Sequence, residues 1–243
     1  MATNVTDRPE ARRSRRTPLV VELYRSALGK KYVMAITGVV WMGYVLAHMV
    51  GNLKVYLGPE SIDHYGEWLR TGLLTPVLPD TGTLWILRVI LIVALVWHVV
   101  AAYELTVMNR RARPEAYRSK RDYVAADFAA RTMRWTGVIV LLFILFHLAD
   151  FTWGWANPDF EHGHVYNNFV TSLGRPVVAF FYVVANIALG VHLYHGGWSL
   201  FQSMGWNSRR LGHLRRSFAI AFAVIVVVGN VSFPLAVQFG IVS

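Results

Sequence analysis

Four histidines lie deep inside four successive apolar spans of this chain: His48, His98, His147 and His192, with His195 one turn beyond the last. An ionisable side chain at bilayer depth is costly and by default marks a functional site. One such histidine alone reads as a hydrogen-bonded packing residue. Four, one per successive span, read as two pairs of axial ligands for two haems inside a helix bundle.

The depths agree in pairs. At about 1.5 Å per residue, His48 lies about 24 Å along the first span and His147 about 18–20 Å along the third. The second and fourth spans run the other way, and His98 and His192 each lie about 21 Å or a little more from their start, near the opposite surface. His48 and His147 therefore share one level, and His98 and His192 the other. Two levels with two histidines each, on alternating helices, are what two stacked bis-histidine haems require.

The elements that must carry these residues are legible from hydropathy. Of 243 residues, 55% are hydrophobic, and mean hydropathy is +0.39. Crossing a hydrocarbon core takes about 20 apolar residues in a helix. Five stretches qualify, near 32–52, 84–108, 134–155, 177–203 and 217–239. Runs such as Val89–Val100 and Val138–Phe146 lack the period-2 alternation of barrel strands. The expected fold class is an all-α membrane protein: a five-transmembrane-helix bundle holding two stacked haems. Residues 1–22 read as a basic, flexible cytoplasmic tail and 23–243 as the transmembrane domain. The first apolar stretch exceeds a signal-peptide core and has no clean cleavage site, so it reads as an uncleaved helix. With no cysteine, thiolate haem ligation, disulfides and protein-held iron–sulfur clusters are excluded within this chain.

The net charge of +10 follows topology rather than nucleic-acid binding. Basic residues crowd the N-terminal segment (Arg8 to Lys31), the second connection (Arg110 to Arg134) and the last one (Arg209 to Arg216). The other two connections hold only Lys54, Arg70 and Arg175, against six carboxylates. That alternation is the positive-inside rule, and it places the N-terminus in the cytoplasm and the C-terminus outside. The basic face also suits a protein partner or anionic lipid.

Other polar groups at depth are few. Arg88 and Asp150 lie at the outer level, where their bland role is a mutual ion pair or snorkelling. Their functional role would be to bind haem propionates or serve quinone protonation. His195 would sit near the inner interface, within reach of a propionate or a quinone, and Ser26 is a second inner candidate. Gly38, Gly43, Gly51, Gly137, Gly190, Gly196 and Gly197 lie on or beside the histidine-bearing helices. They would admit a macrocycle or simply let helices pack closely. His64, His162, His164 and His213 read as solvated loop residues. Trp85, Trp153, Trp155 and Trp206 fit an aromatic belt.

Three stretches carry a resemblance: SALGKKYVMAITGVVWMGYVLAHMVGNL from Ser26, IDHYGEWLR from Ile62, and HLYHGGWSLFQSMGWN from His192. With the four histidines they resemble the cytochrome b subunit of succinate dehydrogenases and fumarate reductases, of the type with one five-helix anchor and two haems. The resemblance implies axial ligation of a distal haem b by His48 and His147 and of a proximal haem b by His98 and His192. It implies a flavoprotein subunit holding FAD and an iron–sulfur subunit on the cytoplasmic face of a bacterial inner membrane. Electrons would pass from the iron–sulfur subunit through the two haems to a quinone, with menaquinone expected. Some relatives use an outer-loop glutamate in quinone chemistry, and Glu67 is the nearest positional match. An oligomer of the whole complex is compatible with this picture. Two other readings stay open: the cytochrome b anchor of a hydrogenase or formate dehydrogenase, and a proton-coupled transporter. The transporter would normally show an internal repeat with broken helices, and no clear repeat is evident.

Overall fold

Lipid offers no hydrogen-bond partners, so a chain this apolar keeps its backbone satisfied by coiling into helices. The computed structural model describes residues 18–112, 124–206, 208 and 211–243. In chain order the helices are α1 (Leu19–Arg25), α2 (Ala27–Asn52), α3 (Pro59–Thr71), α4 (Gly82–Ala112), α5 (Val124–Phe151), α6 (Val165–Leu173), α7 (Pro176–Ser203) and α8 (Leu211–Gln238). A single 3-10 turn, Leu53–Leu57, joins α2 to α3. Five of these helices are long and apolar enough to cross a membrane: α2 with its 3-10 extension, α4, the Thr132–Phe151 part of α5, α7 and α8. Their outward faces suit hydrocarbon rather than water. Ile36, Ile92, Leu142 and Val228 are each at least 60% exposed, a density of bare apolar surface that soluble monomers avoid.

Local chemistry sets the helix ends. The hydroxyl of Ser26 accepts from the Gly29 backbone N–H at 3.0 Å, so α2 begins at Ala27, earlier than hydropathy suggests. At the end of α5 the N–H groups of Thr152 and Trp153 both turn back to the Leu148 carbonyl, and Gly154 follows at φ 71°. That left-handed residue stops the helix at Phe151, short of the expected 155. Two connections expected as loops contain the amphipathic helices α3 and α6, and α1 straddles the expected tail boundary at residue 22. The rest of the basic arm, residues 1–17, lies outside the described residues, as do Arg113, Arg118, Lys120, Arg121, Arg209 and Arg210.

We call the end where α2 begins the lower end. Helices α2, α5 and α8 run upward, and α4 and α7 run downward. The bundle has two parts. Helix α2 packs along α4, while α7 packs along both α5 and α8. The parts join where α2 meets α7 and α8, and where α3 meets α6 at the upper end. Helices α2 and α5 approach each other less closely than these pairs do, as do α4 and α7.

The main apolar core sits at the upper end, where Met49, Val55, Ile62, Phe169, Leu173, Tyr182 and Phe233 interlock beneath α3 and α6. At the lower end the buried Lys30 pairs with Glu104 at 2.5 Å, and Tyr24 shares that carboxylate. This ties α1 and α2 to α4. Helix α8 seats on glycines: Gly190 faces Val227, Gly197 faces Ala219, and Gly229 faces Met49. A Cβ at Gly190 would overlap Val227 Cγ2. Gly190→Ala should therefore lower the thermal unfolding midpoint in detergent, overpacking costing about 1–3 kcal/mol. Adding Val227→Ala should recover part of that loss in a double-mutant cycle.

Candidate functional site

The structure brings the four histidines together in two pairs, each between helices that approach less closely than their neighbours. His48 of α2 meets His147 of α5, with ring centroids 5.8 Å apart and planes at 84°. His98 of α4 meets His192 of α7 at 6.3 Å and 58°. Centroid distances of this size are ordinary for packed aromatic rings. What sets these pairs apart is that imidazoles are what meet between the two parts of the bundle. Two imidazoles binding one metal from opposite sides, each at about 2 Å, also have centroids about 6 Å apart. The donor set therefore fits a bis-histidine haem at each level.

The ring nitrogens are positioned by neighbours. The Nδ1 of His98 lies 3.0 Å from Thr37 Oγ1 on α2, and the Nδ1 of His192 lies 3.3 Å from Thr136 Oγ1 on α5. The Nδ1 of His147 lies 3.3 Å from the Tyr182 hydroxyl on α7. His48 differs: its Nε2 faces the side-chain amide of Asn52 at 3.3 Å, and Tyr44 stacks on its ring. For three of the four rings, Nε2 is the nitrogen left for a metal.

A buried polar cluster stands behind His147. Asp150 has no exposed surface. Its carboxylate accepts from Arg175 Nη2 at 2.7 Å, from the Tyr182 hydroxyl at 2.9 Å, and from the Ser172 hydroxyl. Arg175 also donates to the Ala156 carbonyl at 2.5 Å, pinning the loop after α5. Removal of a carboxylate from water is costly unless it is paired and hydrogen-bonded, and here both oxygens are satisfied.

The remaining sequence candidates fall elsewhere. Asp150 pairs with Arg175 and not with Arg88. Arg88 lies exposed on α4 with its guanidinium 5.0 Å over the Trp85 ring, whereas Asp150 is enclosed by α6 and α7. The Ser26 hydroxyl is committed to capping α2 and to the Leu23 carbonyl. Glu67 lies exposed on α3. His195 is half-buried, and its Nδ1 and the indole nitrogen of Trp41 are buried without a hydrogen-bond partner among the described residues. Such orphaned groups are the kind that a bound carboxylate satisfies. His64, His162, His164 and His213 are all exposed. No cluster of three metal-ligating side chains occurs among the described residues. The glycines divide by role: Gly38 and Gly137 face His98 and His192, Gly190 and Gly197 face α8, Gly51 faces Tyr65, and Gly43 and Gly196 face open space.

Sequence reasoning missed Thr37, Thr136, Tyr182 and Arg175. The two threonines had a signal: each opens a Thr-Gly pair 11 positions before the histidine of its own helix. Tyr182 and Arg175 had none, because their roles arise from helices distant in sequence.

Residues 128–231 match the family model described as succinate dehydrogenase/fumarate reductase transmembrane subunit. No curated protein and no solved structure matches the chain.

The buried carboxylate makes a thermodynamic demand on its partner. Arg175→Ala should destabilise the protein by about 2–3 kcal/mol in detergent unfolding, below the range for a fully buried pair because the Arg175 side chain is 33% exposed. Asp150→Asn in the Arg175→Ala background should restore stability, since it removes the stranded charge.

Proposed function

We propose, from the match of residues 128–231 to the succinate dehydrogenase/fumarate reductase transmembrane subunit family, that the chain anchors a flavoprotein and an iron–sulfur subunit to the membrane and links them to a quinone. The observation that carries this reading is the meeting of the histidines in two pairs between the bundle's two parts. His98 and His192 would hold one b haem at the lower level, and His48 and His147 a second at the upper level. Bound haem supplies one-electron redox chemistry. The residues of this chain orient the ligands and exclude water from them. Thr37, Thr136 and Tyr182 hold three of the four rings. The Arg175–Asp150–Tyr182 chain links one ring to the polar surface beneath the loop after α5.

The lower end is the cytoplasmic one in this reading, because basic residues concentrate in the segments that meet there. Arg110 and Arg111 close α4 on that face, where the partner subunits would dock. The dicarboxylate is oxidised or reduced in the flavoprotein, and this chain does not bind it. Menaquinone is the quinone proposed, reduced near the upper level. An electron carried from the lower to the upper end would then move toward the positive side, a gain of about 2.3 kcal/mol per 100 mV for a full crossing. Reduction at the lower end would gain little from the field.

Three measurements test this. The purified complex should contain flavoprotein and iron–sulfur subunits and show two b haems per chain in a reduced-minus-oxidised spectrum; a hydrogenase or formate dehydrogenase in their place would select the rival anchor. His98→Ala and His192→Ala should each leave one haem per chain, while His195→Ala should leave two. Succinate-driven quinone reduction in sealed vesicles should slow when an ionophore collapses the membrane potential, and a rate indifferent to the potential would move the quinone to the lower end.

A further inference from the structure

The two histidines of the lower level are seated by the same device on two different helices. On α2, Thr37 donates its hydroxyl proton to the Val33 carbonyl at 2.7 Å. On α5, Thr136 donates to the Thr132 carbonyl at 2.6 Å. Such bonds to the preceding turn are common for threonine in membrane helices. A hydroxyl has one proton, however, so each oxygen can act toward a further neighbour only as an acceptor. The neighbour of Thr37 Oγ1 is His98 Nδ1 at 3.0 Å, and that of Thr136 Oγ1 is His192 Nδ1 at 3.3 Å. With the hydroxyl protons so placed, each imidazole donates from Nδ1 and leaves Nε2 as the bare nitrogen.

The following residue completes each seat. A Cβ on Gly38 would lie 3.8 Å from His98 Cε1, and one on Gly137 would lie 3.5 Å from His192 Cε1. Each glycine therefore presents bare backbone to the ring while the threonine before it takes the ring's N–H. The pattern continues upward. His48 follows Thr37 by 11 residues, and His147 follows Thr136 by the same interval. Eleven residues make about three turns and return to nearly the same face, about 16 Å higher. Thus α2 and α5 each carry an upper histidine of their own and, three turns below it, a seat for the lower histidine of the next long helix. This short repeat is visible once the contacts are known.

We propose that Thr37 and Thr136 are positioning residues that fix the tautomer of His98 and His192 and so set the ligand strength at the lower level. The proposal rests on the haem reading above. A ligand imidazole whose other N–H is donated to an acceptor is a stronger base toward its metal, and loss of such a partner typically weakens metal binding about 10–100-fold. The stronger base favours the oxidised metal, so losing the acceptor should raise the lower haem's midpoint potential.

The test uses the intact complex with Thr37→Val and Thr136→Val, which keep the side-chain shape and remove the acceptor, and with Thr37→Ser and Thr136→Ser, which retain a hydroxyl. Redox titration and low-temperature electron paramagnetic resonance report each haem separately. The expected result is an upward shift in the potential of one haem, with a change in its low-spin signal, in both valine variants. The second haem should be unmoved, and both serine variants should behave like the unsubstituted complex. Loss of the lower haem alone from a valine variant, with retention in the serine variant, also supports the proposal. Should a valine variant fail to assemble, alanine replaces it, and a shift with alanine but not serine counts the same way. Two haems with unshifted potentials and signals in both hydroxyl-free variants would overturn the proposal and leave the proposed function standing. Absence of haem from the unsubstituted complex would overturn the proposed function and this inference with it.

Discussion

Four imidazoles meet in two pairs, each in the space between helices that lie farther apart than their neighbours, and much of the architecture is arranged around those two meetings. Helix α2 lies along α4, and α7 along α5 and α8, yet the histidine pairs join α2 to α5 and α4 to α7. A bundle optimised only for packing would close that space with small residues. Here much of the small-residue contact is spent on the other side of α7, where Gly190 and Gly197 receive α8. Helix α8 has no histidine at depth, and its seating on those glycines buttresses one histidine-bearing helix from behind.

The two levels are built differently. The lower one is nearly symmetric, with a threonine and a glycine from α2 and from α5 meeting the histidines of α4 and α7. The upper one is not. His147 is backed by a tyrosine whose proton is committed to a buried aspartate, whereas His48 is held from its own helix, by the amide of Asn52 one turn above and the ring of Tyr44 one turn below. The asymmetry follows the apolar core, which gathers at the upper end around Tyr182 and Phe169 beneath α3 and α6. A buried carboxylate survives there because Arg175, Ser172 and Tyr182 occupy its lone pairs.

The long helices and the depth of their histidines were legible in the sequence because both depend on simple periodic quantities, hydropathy over about 20 residues and a rise of 1.5 Å per residue. Thus His48 and His147, and His98 and His192, could be matched by level before any contact was known. The helices α3 and α6 were hidden for different reasons: α3 carries little net hydropathy, and α6, at nine residues, is too short to register over a membrane-length window. Arg175 read as a loop cation, and Arg88 was one of several partners open to Asp150, because sequence gives depth along a helix but not the direction in which a side chain points. The committed hydroxyls were illegible for the same reason: a threonine bonded to its own helix looks like any other until the neighbouring ring is in place.

The chain order of the histidines carries a further consequence. His48 and His147 are 99 positions apart, His98 and His192 are 94 apart, and the two intervals interleave. A group bridging either pair closes a loop of about a hundred residues. In the chain-entropy treatment of cross-links, a covalent closure of that size withdraws about 4–5 kcal/mol of freedom from the unfolded chain, and metal ligation couples to folding in the same sense. Interleaved closures also fix an order of events during synthesis. The upper bridge becomes available once α5 has entered the membrane, while the lower one waits for α7. Until that helix arrives, His98 sits on α4 without its opposite number, and the nascent bundle can be stapled only at its upper end.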